Sequence, residues 1–265
     1  MAIQEQSTGK KSVGERLRKV SQNFFLHIHA PKISADTLAP STTMGLGVIL
    51  VSLFAVQLAS GMLVMIHYTP SVDAAYFSVK EIIFYVPGGR VFRNVHRWSA
   101  HAMVFVTFLH LFRTFYKGAY YGSRRSNWVI GVIMLIVVMM MSFSGYLLPW
   151  DQLAFWAITV STSMLSYIPF IGDSLVEMVR GGSEVGESTL LIFYNFHSGI
   201  FPILMLLVMG FHFWRVRKAG GVAISKDESL TENKLATTLP NLVFREFVVA
   251  LMLIAVILIF SILFN

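Results

Sequence analysis

Two histidine pairs lie within long apolar stretches, and their spacing limits what this chain can fold into. His96 and His110 are 14 residues apart, and His197 and His212 are 15 apart. At about 100° and 1.5 Å per residue, 14 residues return to within roughly 40° of the starting face of a helix, and 15 to within roughly 60°. Each interval rises about 21–22 Å, so two imidazoles on one stripe would lie near the two edges of a hydrocarbon layer about 30 Å thick. Two such helices side by side would form two bis-imidazole sites stacked across a membrane.

The composition agrees with a membrane protein. Of 265 residues, 55% are hydrophobic and 13% are charged, against about 25% charged in soluble domains. The net charge of +7 is interpreted as membrane topology, since the basic residues cluster in loops beside apolar stretches. The absence of cysteine excludes disulfides, iron–sulfur ligation and thioether attachment of haem. Any haem must therefore be held non-covalently.

Five apolar stretches are long enough to span a membrane. The predicted spans are residues 43–67, 95–116, 128–148, 190–216 and 243–264. Residues 11–25 predict an amphipathic surface helix. The connection of about forty residues between the third and fourth spans is too long for a simple loop, and predicts one or two short helices along the membrane surface. The expected fold is an all-α integral membrane protein: a four-helix bundle, a fifth transmembrane helix and outer surface helices.

The loop charges predict the orientation. The N-terminal segment, residues 117–125 and residues 215–218 are basic and fall on one side of a five-span topology, whereas the connection between the third and fourth spans is acidic on balance. The positive-inside rule then places the N-terminus inside, in what we expect to be a bacterial inner membrane. The second and fourth spans both run inward, which pairs His96 with His197 near the outer face and His110 with His212 near the inner face.

Histidines in membrane spans are costly and usually functional, although one alone can simply hydrogen-bond to a neighbouring helix. Four at matched depths favour two haems, because imidazole is a common axial ligand. Zinc would need its ligands within a few ångströms of one another. His101 lies about 140–180° around the helix from His96 and His110, and is predicted to pack on the back of the helix.

Two glycine pairs repeat the histidine interval. Gly47 and Gly61 are 14 residues apart in the first span, and Gly131 and Gly145 are 14 apart in the third. Glycine lets a flat group approach the backbone closely, so these positions predict contact with two porphyrins. Packing of helices through small residues is the alternative.

Two arginines lie one helical turn beyond histidines. Arg93 precedes His96 by three residues, and Arg113 follows His110 by three. Each is predicted to pair with haem propionates. The alternative is that both are ordinary interfacial arginines, and this explains Arg113 better than it explains Arg93.

Three segments resemble a known family. They are RNVHRWSAHAMVFVTFLHLFR, GYLLPWDQLAFW and FYNFHSGIFPILMLLVMGFHFWRVRK. The chain resembles cytochrome b of the bc1 and b6f quinol oxidising complexes over roughly residues 20–220, and HRWS, PWDQ and the 15-residue spacing favour the b6 branch. The resemblance implies a low-potential haem b on His96 and His197 and a high-potential haem b on His110 and His212.

The chain also departs from that family. The b6 branch carries a cysteine that attaches an extra haem, and this chain has none. The Pro-Glu-Trp-Tyr motif of the quinol site is missing, while PNLVFREFVVALMLIAVILIF resembles the first helix of the family's C-terminal half. We expect a dihaem domain in residues 1–225, and in residues 226–265 a linker and the fifth helix. The expected partners are a C-terminal cytochrome b subunit with Pro-Glu-Trp-Tyr, a Rieske iron–sulfur protein, a c-type cytochrome and quinone, in a dimeric complex.

The resemblance also suggests quinone sites. Residues where the third span meets the surface helix are candidates for the outer quinol site, with positive residues after the fourth span for the inner site. These candidates are Gly145, Tyr146, Phe155, Trp156 and Thr159 on the outer side, and Arg217 and Lys218 on the inner side. An interfacial aromatic belt and positive-inside charge are the alternative.

The expected function is that of a dihaem subunit of a quinol:acceptor oxidoreductase, which carries electrons from an outer quinol site to an inner quinone site and couples this to proton translocation. One alternative is a dihaem membrane anchor of a dehydrogenase or hydrogenase with a single quinone site. A non-redox transporter or scaffold is a second.

Overall fold

Helices make up nearly all of the computed structural model, which describes residues 32–219, 221–222, 235–237 and 241–264. The α-helices are α1 (Pro40–Thr43), α2 (Leu46–His67), α3 (Ala75–Phe84), α4 (Gly89–Tyr116), α5 (Arg125–Leu147), α6 (Gln152–Ser163), α7 (Gly172–Arg180), α8 (Glu187–Asn195), α9 (Phe201–Lys218) and α10 (Val243–Leu263). Short 3₁₀ helices cover Ala35–Leu38, Gly122–Arg124 and Met164–Tyr167, and a π-helical turn covers Phe196–Ile200. Strands β1 (Lys32–Ser34) and β2 (Leu235–Thr237) form a short antiparallel pair. The predicted surface helix at residues 11–25 lies outside the described residues.

The long helices confirm the predicted membrane fold. By length and composition, four segments can cross a membrane: α2, Gly122–Leu147, Glu187–Lys218 and α10. The fourth of the predicted spans is therefore a continuous segment that joins α8, the π turn and α9. α4 is 28 residues long but carries several arginines, and it packs along α2, α5 and α10 within the bundle.

Helix α4 begins earlier than predicted. The apolar pattern placed its start at residue 95, whereas the helix begins at Gly89. The extra turns carry Arg90 and Arg93, whose long aliphatic stems can extend along a helix while the charged ends reach the membrane surface. A prediction from hydropathy therefore made this span shorter than the helix is.

The four-helix bundle has two ends. α4 and the α8–α9 segment run in one direction, and α2 and α5 run in the other. We call the two ends the His96 end and the His110 end. The predicted surface helices are α6 and α7, which follow α5 at the His96 end. Helix α3 also lies at this end, packed on α4, and was not predicted. Helix α10 packs against α2 and α4 as the fifth long helix.

An apolar cluster fills the middle of the bundle. Its residues lie about halfway between the two histidines or the two glycines of each helix, with one addition from α10. The buried members are Leu53, Phe54, Met103, Val137, Val138, Met205 and Ile257. The histidines therefore form two separate levels, with an apolar layer between them.

Candidate functional site

The structure brings His96 and His197 together at one level of the bundle. Their ring centroids are 6.1 Å apart and the rings are inclined at 77°. Two imidazoles that bind one metal ion keep their ligating nitrogens about 4 Å apart, because each metal–nitrogen bond is about 2.0–2.1 Å. The separation of these two rings is on the scale that shared ligation requires.

Hydrogen bonds occupy the Nδ1 atoms of this pair. His96 Nδ1 lies 3.0 Å from Ser60 Oγ, and His197 Nδ1 lies 3.0 Å from the carbonyl oxygen of Met141. A carbonyl only accepts, so His197 carries its proton on Nδ1. The lone pair of its Nε2 is then free to bind a metal.

The second pair lies at the other level. His110 and His212 line one cleft, whose volume is about 140 Å³. His212 Nδ1 is buried and has no hydrogen-bond partner among the described residues. A buried polar atom without a partner is rare in native structures and indicates a missing group or a special role.

At the His96 end, two glycines face these imidazoles. A Cβ atom built on Gly61 would lie 3.1 Å from His96 Cε1, and one on Gly145 would lie 2.5 Å from His197 Cε1. The second distance is shorter than any real Cβ contact. The imidazole of His197 approaches α5 so closely that a side chain at Gly145 would displace it, and the imidazole of His96 leaves little room for a side chain at Gly61.

The glycines at the His110 end face the other two histidines. A Cβ atom on Gly47 would lie 3.9 Å from His110 Cε1, and one on Gly131 would lie 4.0 Å from His212 Cε1. The four glycines and four histidines of the sequence analysis therefore meet one to one. The contacts are looser at this end.

The donor set fits bis-histidine haem. Within the described ranges there is no cluster of three or more His, Cys, Asp or Glu side chains that could hold a metal ion, which is the arrangement that zinc requires. Two facing imidazoles beside glycines suit a planar group with two open axial positions. The residues present are therefore compatible with one haem at each level.

The two predicted propionate partners have different surroundings. Arg113 lines the cleft of the His110 end and donates to the carbonyl of Thr42 at 3.1 Å. Arg93 is half-buried on α4, one turn before His96. Both positions are compatible with the predicted pairing.

The candidate outer quinone residues gather where α5 meets α6. Phe155 stacks edge to face against Trp156, with centroids 5.5 Å apart, and Thr159 Oγ1 donates to the carbonyl of Phe155 at 2.7 Å. Tyr146 and Trp156 are exposed. The group forms an aromatic surface at the His96 end.

Tyr68 links α2 to α5 at the same end of the bundle. It follows α2 directly and donates to the carbonyl of Leu148 at 2.7 Å. Burial raises the pKa of the Tyr68 phenol above its ordinary value, and repulsion from the neighbouring Tyr194 adds a smaller upward shift. The phenol therefore stays protonated and fixes the end of α2 against the end of α5.

The inner candidates Arg217 and Lys218 do not line the cleft. The Lys218 ammonium lies 5.7 Å from the ring centre of Trp214. Lys117 and Arg124 line the cleft instead. The sequence analysis interpreted them only as positive-inside charge, although both lie in the basic connection between the second and third spans.

The sequence analysis also missed the polar partners of the imidazoles. Ser60 and Ser144 contact His96 and His197, and the Gln57 amide donates to the carbonyl of His96 at 2.7 Å. The available signal was a serine immediately before two of the four spaced glycines.

Comparison with known proteins identifies the family of this chain. The family model described as "Cytochrome b/b6/petB" matches residues 35–220. Cytochrome b6 of Prochlorococcus marinus (strain MIT 9303) is 41% identical over 175 residues, which are 66% of this chain and 80% of the relative. Cytochrome b6 of Gracilaria tenuistipitata var. liui is 40% identical over 175 residues, 66% of this chain and 81% of the relative.

A solved structure has the same fold. It is described as "Hyperthermophilic respiratory Complex III", and superposes with a TM-score of 0.77 at 27% identity over 94% of this chain. The present chain spans 65% of the length of that structure's chain. Because the family model covers more than half of the residues, the resemblance found in the sequence is confirmed, and the chain belongs to the cytochrome b/b6 family.

Proposed function

We propose that this chain is the dihaem cytochrome b subunit of a quinol-oxidising complex. It would carry electrons across the membrane from an outer quinol oxidation site to an inner quinone reduction site, coupled to proton translocation. The observation that supports this most directly is the pairing of four histidines at two levels, each opposite its own glycine. Family membership and the Complex III fold support the same function.

The residues of each level have distinct tasks. His96 with His197, and His110 with His212, would hold one non-covalent haem b per level as axial ligands. Haem bound there would supply two one-electron carriers, one near each membrane face. The protein fixes the imidazoles, excludes water with the apolar layer between the levels, and leaves space at the glycines.

The orientation follows from charge. Among the described residues, the His110 end carries five basic side chains in loops and at helix ends: Lys117, Arg124, Arg125, Arg215 and Lys218. The positive-inside rule places this end on the cytoplasmic side of a bacterial inner membrane, with the N-terminus inside. The His96 end then faces outward, as the quinol site requires.

Quinone would bind near both levels. On the outer side we propose Tyr146, Phe155, Trp156 and Thr159 as part of the wall, completed by a partner subunit with Pro-Glu-Trp-Tyr. A Rieske protein and a c-type cytochrome would accept the other electron. On the inner side Arg217 and Lys218 remain candidates, and the cleft residues Lys117 and Arg124 are added to them.

Removal of single ligands tests the proposal. The haem absorbance of membranes that contain the complex is followed during a redox titration, and quinol-dependent reduction of an acceptor is measured in parallel. We expect His96→Ala and His197→Ala to lose one haem component, and His110→Ala and His212→Ala to lose the other. All four should abolish turnover, and acid–acetone should extract all haem from the polypeptide.

His101 provides the matched control. It is exposed on α4 and its ring makes an edge contact with Trp98 at 5.9 Å. His101→Ala should retain both haems and turnover. Loss of the same component in His96→Ala and His212→Ala, or haem that resists extraction, would contradict the proposal.

A further inference from the structure

The two histidine levels differ in the residue that precedes each glycine. At the His96 end these residues are Ser60 and Ser144. Fourteen positions earlier in each helix, at the His110 end, they are Leu46 and Ile130. Both serines are almost fully buried, at 4% and 1% exposed. Each serine lies within hydrogen-bond distance of an imidazole.

The direction of the bond at His96 can be deduced. The Ser60 hydroxyl donates to the carbonyl of Val56 at 2.6 Å, one helical turn earlier. A hydroxyl has one hydrogen, so its oxygen is left to accept from His96 Nδ1–H at 3.0 Å. Ser60 is the only hydrogen-bond partner of this nitrogen in the described part of the chain. One hydrogen bond runs from the imidazole to the hydroxyl and a second runs from the hydroxyl to the carbonyl. Together they hold the proton on Nδ1 and leave Nε2 free to bind a metal.

His197 has two acceptors. Its Nδ1 lies 3.0 Å from the carbonyl of Met141 and 3.2 Å from Ser144 Oγ, and the Ser144 hydroxyl donates to the same carbonyl at 3.1 Å. The carbonyl is the nearer acceptor, and Ser144 shares the proton. His197 would therefore keep an acceptor without Ser144.

At the other level, neither glycine is preceded by a serine. His212 Nδ1 is buried without a hydrogen-bond partner among the described residues. The apolar residues Leu46 and Ile130 stand where the His96 end has serines. The two levels therefore offer chemically different imidazoles, although their glycines and histidines match.

We propose that Ser60 and Ser144 are positioning residues which lower the reduction potential of the haem at the His96 end relative to the haem at the His110 end. An imidazole that donates from Nδ1 is a stronger donor at Nε2, because the acceptor withdraws the proton and raises the basicity of the ligand. A stronger donor stabilises oxidised iron more than reduced iron, which lowers the potential. The inference rests on the proposed function, since it concerns groups that the four histidines would hold.

Substitution of the serines tests the proposal, with potentiometric titration of the intact complex as the readout. Ser60→Ala removes the only acceptor of His96 Nδ1 among the described residues, so the midpoint potential of the His96-end haem should rise. We expect a change of up to about tenfold in the one-electron equilibrium constant between the two haems, which corresponds to about 59 mV. Ser144→Ala should shift the same haem less, because the Met141 carbonyl remains.

Two variants complete the series. Ser60→Thr keeps the hydroxyl and should restore the potential, which a merely structural loss would not predict. Ser60→Cys offers a weaker acceptor and should give an intermediate shift, so the test stands even if the alanine variant loses haem. Ser52→Ala is the control, because the Ser52 hydroxyl makes the same type of bond within α2, to Val48 at 2.9 Å, without an imidazole.

The outcomes distinguish this proposal from the proposed function. If the unmodified protein lacks haem at the two histidine levels, the proposed function is wrong. If it binds both haems, and Ser60→Ala leaves both potentials unchanged or shifts only the His110-end haem, the function stands and the role of the serines is wrong. Equal shifts of both haems would also overturn it.

Discussion

His197 and His212 face the same neighbouring helix, α5, although 15 residues separate them. His197 lies in the π-helical turn Phe196–Ile200, which holds one residue more than an α-helical turn. The extra residue brings the interval into register with the 14-residue spacing of Gly131 and Gly145. The roughly 60° offset expected from a regular helix is therefore removed by local structure.

Pro202 explains why the turn is placed there. Proline has no N–H and its ring clashes with the carbonyl four residues earlier, which here belongs to Ser198. The preceding residue, Phe201, donates to the carbonyl of Phe196 instead, five residues back. A π turn at this position removes the clash between the proline ring and the carbonyl, and His197 lies within that turn.

The register argument can be tested by deletion. Removal of Gly199 together with Pro202→Ala should convert the turn into regular α-helix with a 14-residue interval, and both haems should be retained. Haem content and redox titration measure the result. Deletion of Phe105 from α4, which has no π turn between its histidines, should instead rotate His110 by about 100° and remove the haem of that level. Retention of both haems after this second deletion would contradict the argument.

The glycine contacts predict a graded series of alanine variants. Gly145→Ala should be the most damaging, because its methyl carbon would lie 2.5 Å from His197 Cε1. Gly61→Ala, at 3.1 Å from His96, should have a smaller effect.

Gly47→Ala and Gly131→Ala are the matched controls, since their methyl carbons would be in ordinary contact at 3.9 and 4.0 Å. Haem content per polypeptide, measured separately for the two levels, gives the order. Greater loss from Gly131→Ala than from Gly145→Ala would show that the imidazole positions differ from those described.

The sequence predicted what depends on periodicity. The length of the apolar stretches predicted the long helices. The repeated intervals predicted that four glycines would lie at the levels of four histidines, which are His96, His110, His197 and His212. Features that depend on the rotation of neighbouring helices were missed, including the bond from His96 to Ser60. Helix α3 was also missed, because a ten-residue helix between two spans has too few turns to give a clear pattern.

Asn94 should stabilise the docking of α10. Its amide donates to the carbonyls of Ser261 and Phe264, at 3.1 and 3.4 Å, and these are C-terminal carbonyls that the helix itself leaves unpaired. Asn94→Leu should lower the free energy of unfolding by roughly 1 kcal/mol, as for other interhelical hydrogen bonds in membranes. Denaturation with SDS in detergent micelles measures this change.

Trp98→Phe provides the comparison for Asn94. The indole makes one bond to the carbonyl of Phe264, at 3.2 Å, in an exposed position, and phenylalanine would preserve the ring contact with Phe260. We expect a smaller loss of stability than for Asn94→Leu. A larger loss would mean that aromatic packing, and not the amide, holds the end of α10.

Arg180 should hold the surface helices in place beside the candidate quinol site. Its guanidinium donates to Thr162 Oγ1 at 2.8 Å, to Ser163 Oγ at 2.9 Å and to the carbonyl of Thr159 at 3.2 Å. Its own carbonyl accepts from Thr189 Oγ1 at 2.7 Å. One residue therefore connects the end of α6 to α7 and to the start of α8.

Arg180→Lys should loosen α6 because an ammonium cannot reproduce the planar fork of donors. Amide hydrogen exchange at the C-terminal turn of α6 should become severalfold faster, and KM for quinol in the intact complex should rise while both haem potentials stay unchanged. Lys80→Met is the control, since the Lys80 ammonium lies over the Tyr76 ring at 4.6 Å on α3, away from this network. If Arg180→Lys shifted a haem potential and left α6 exchange unchanged, the side chain would act on the haem level and not on the surface helix.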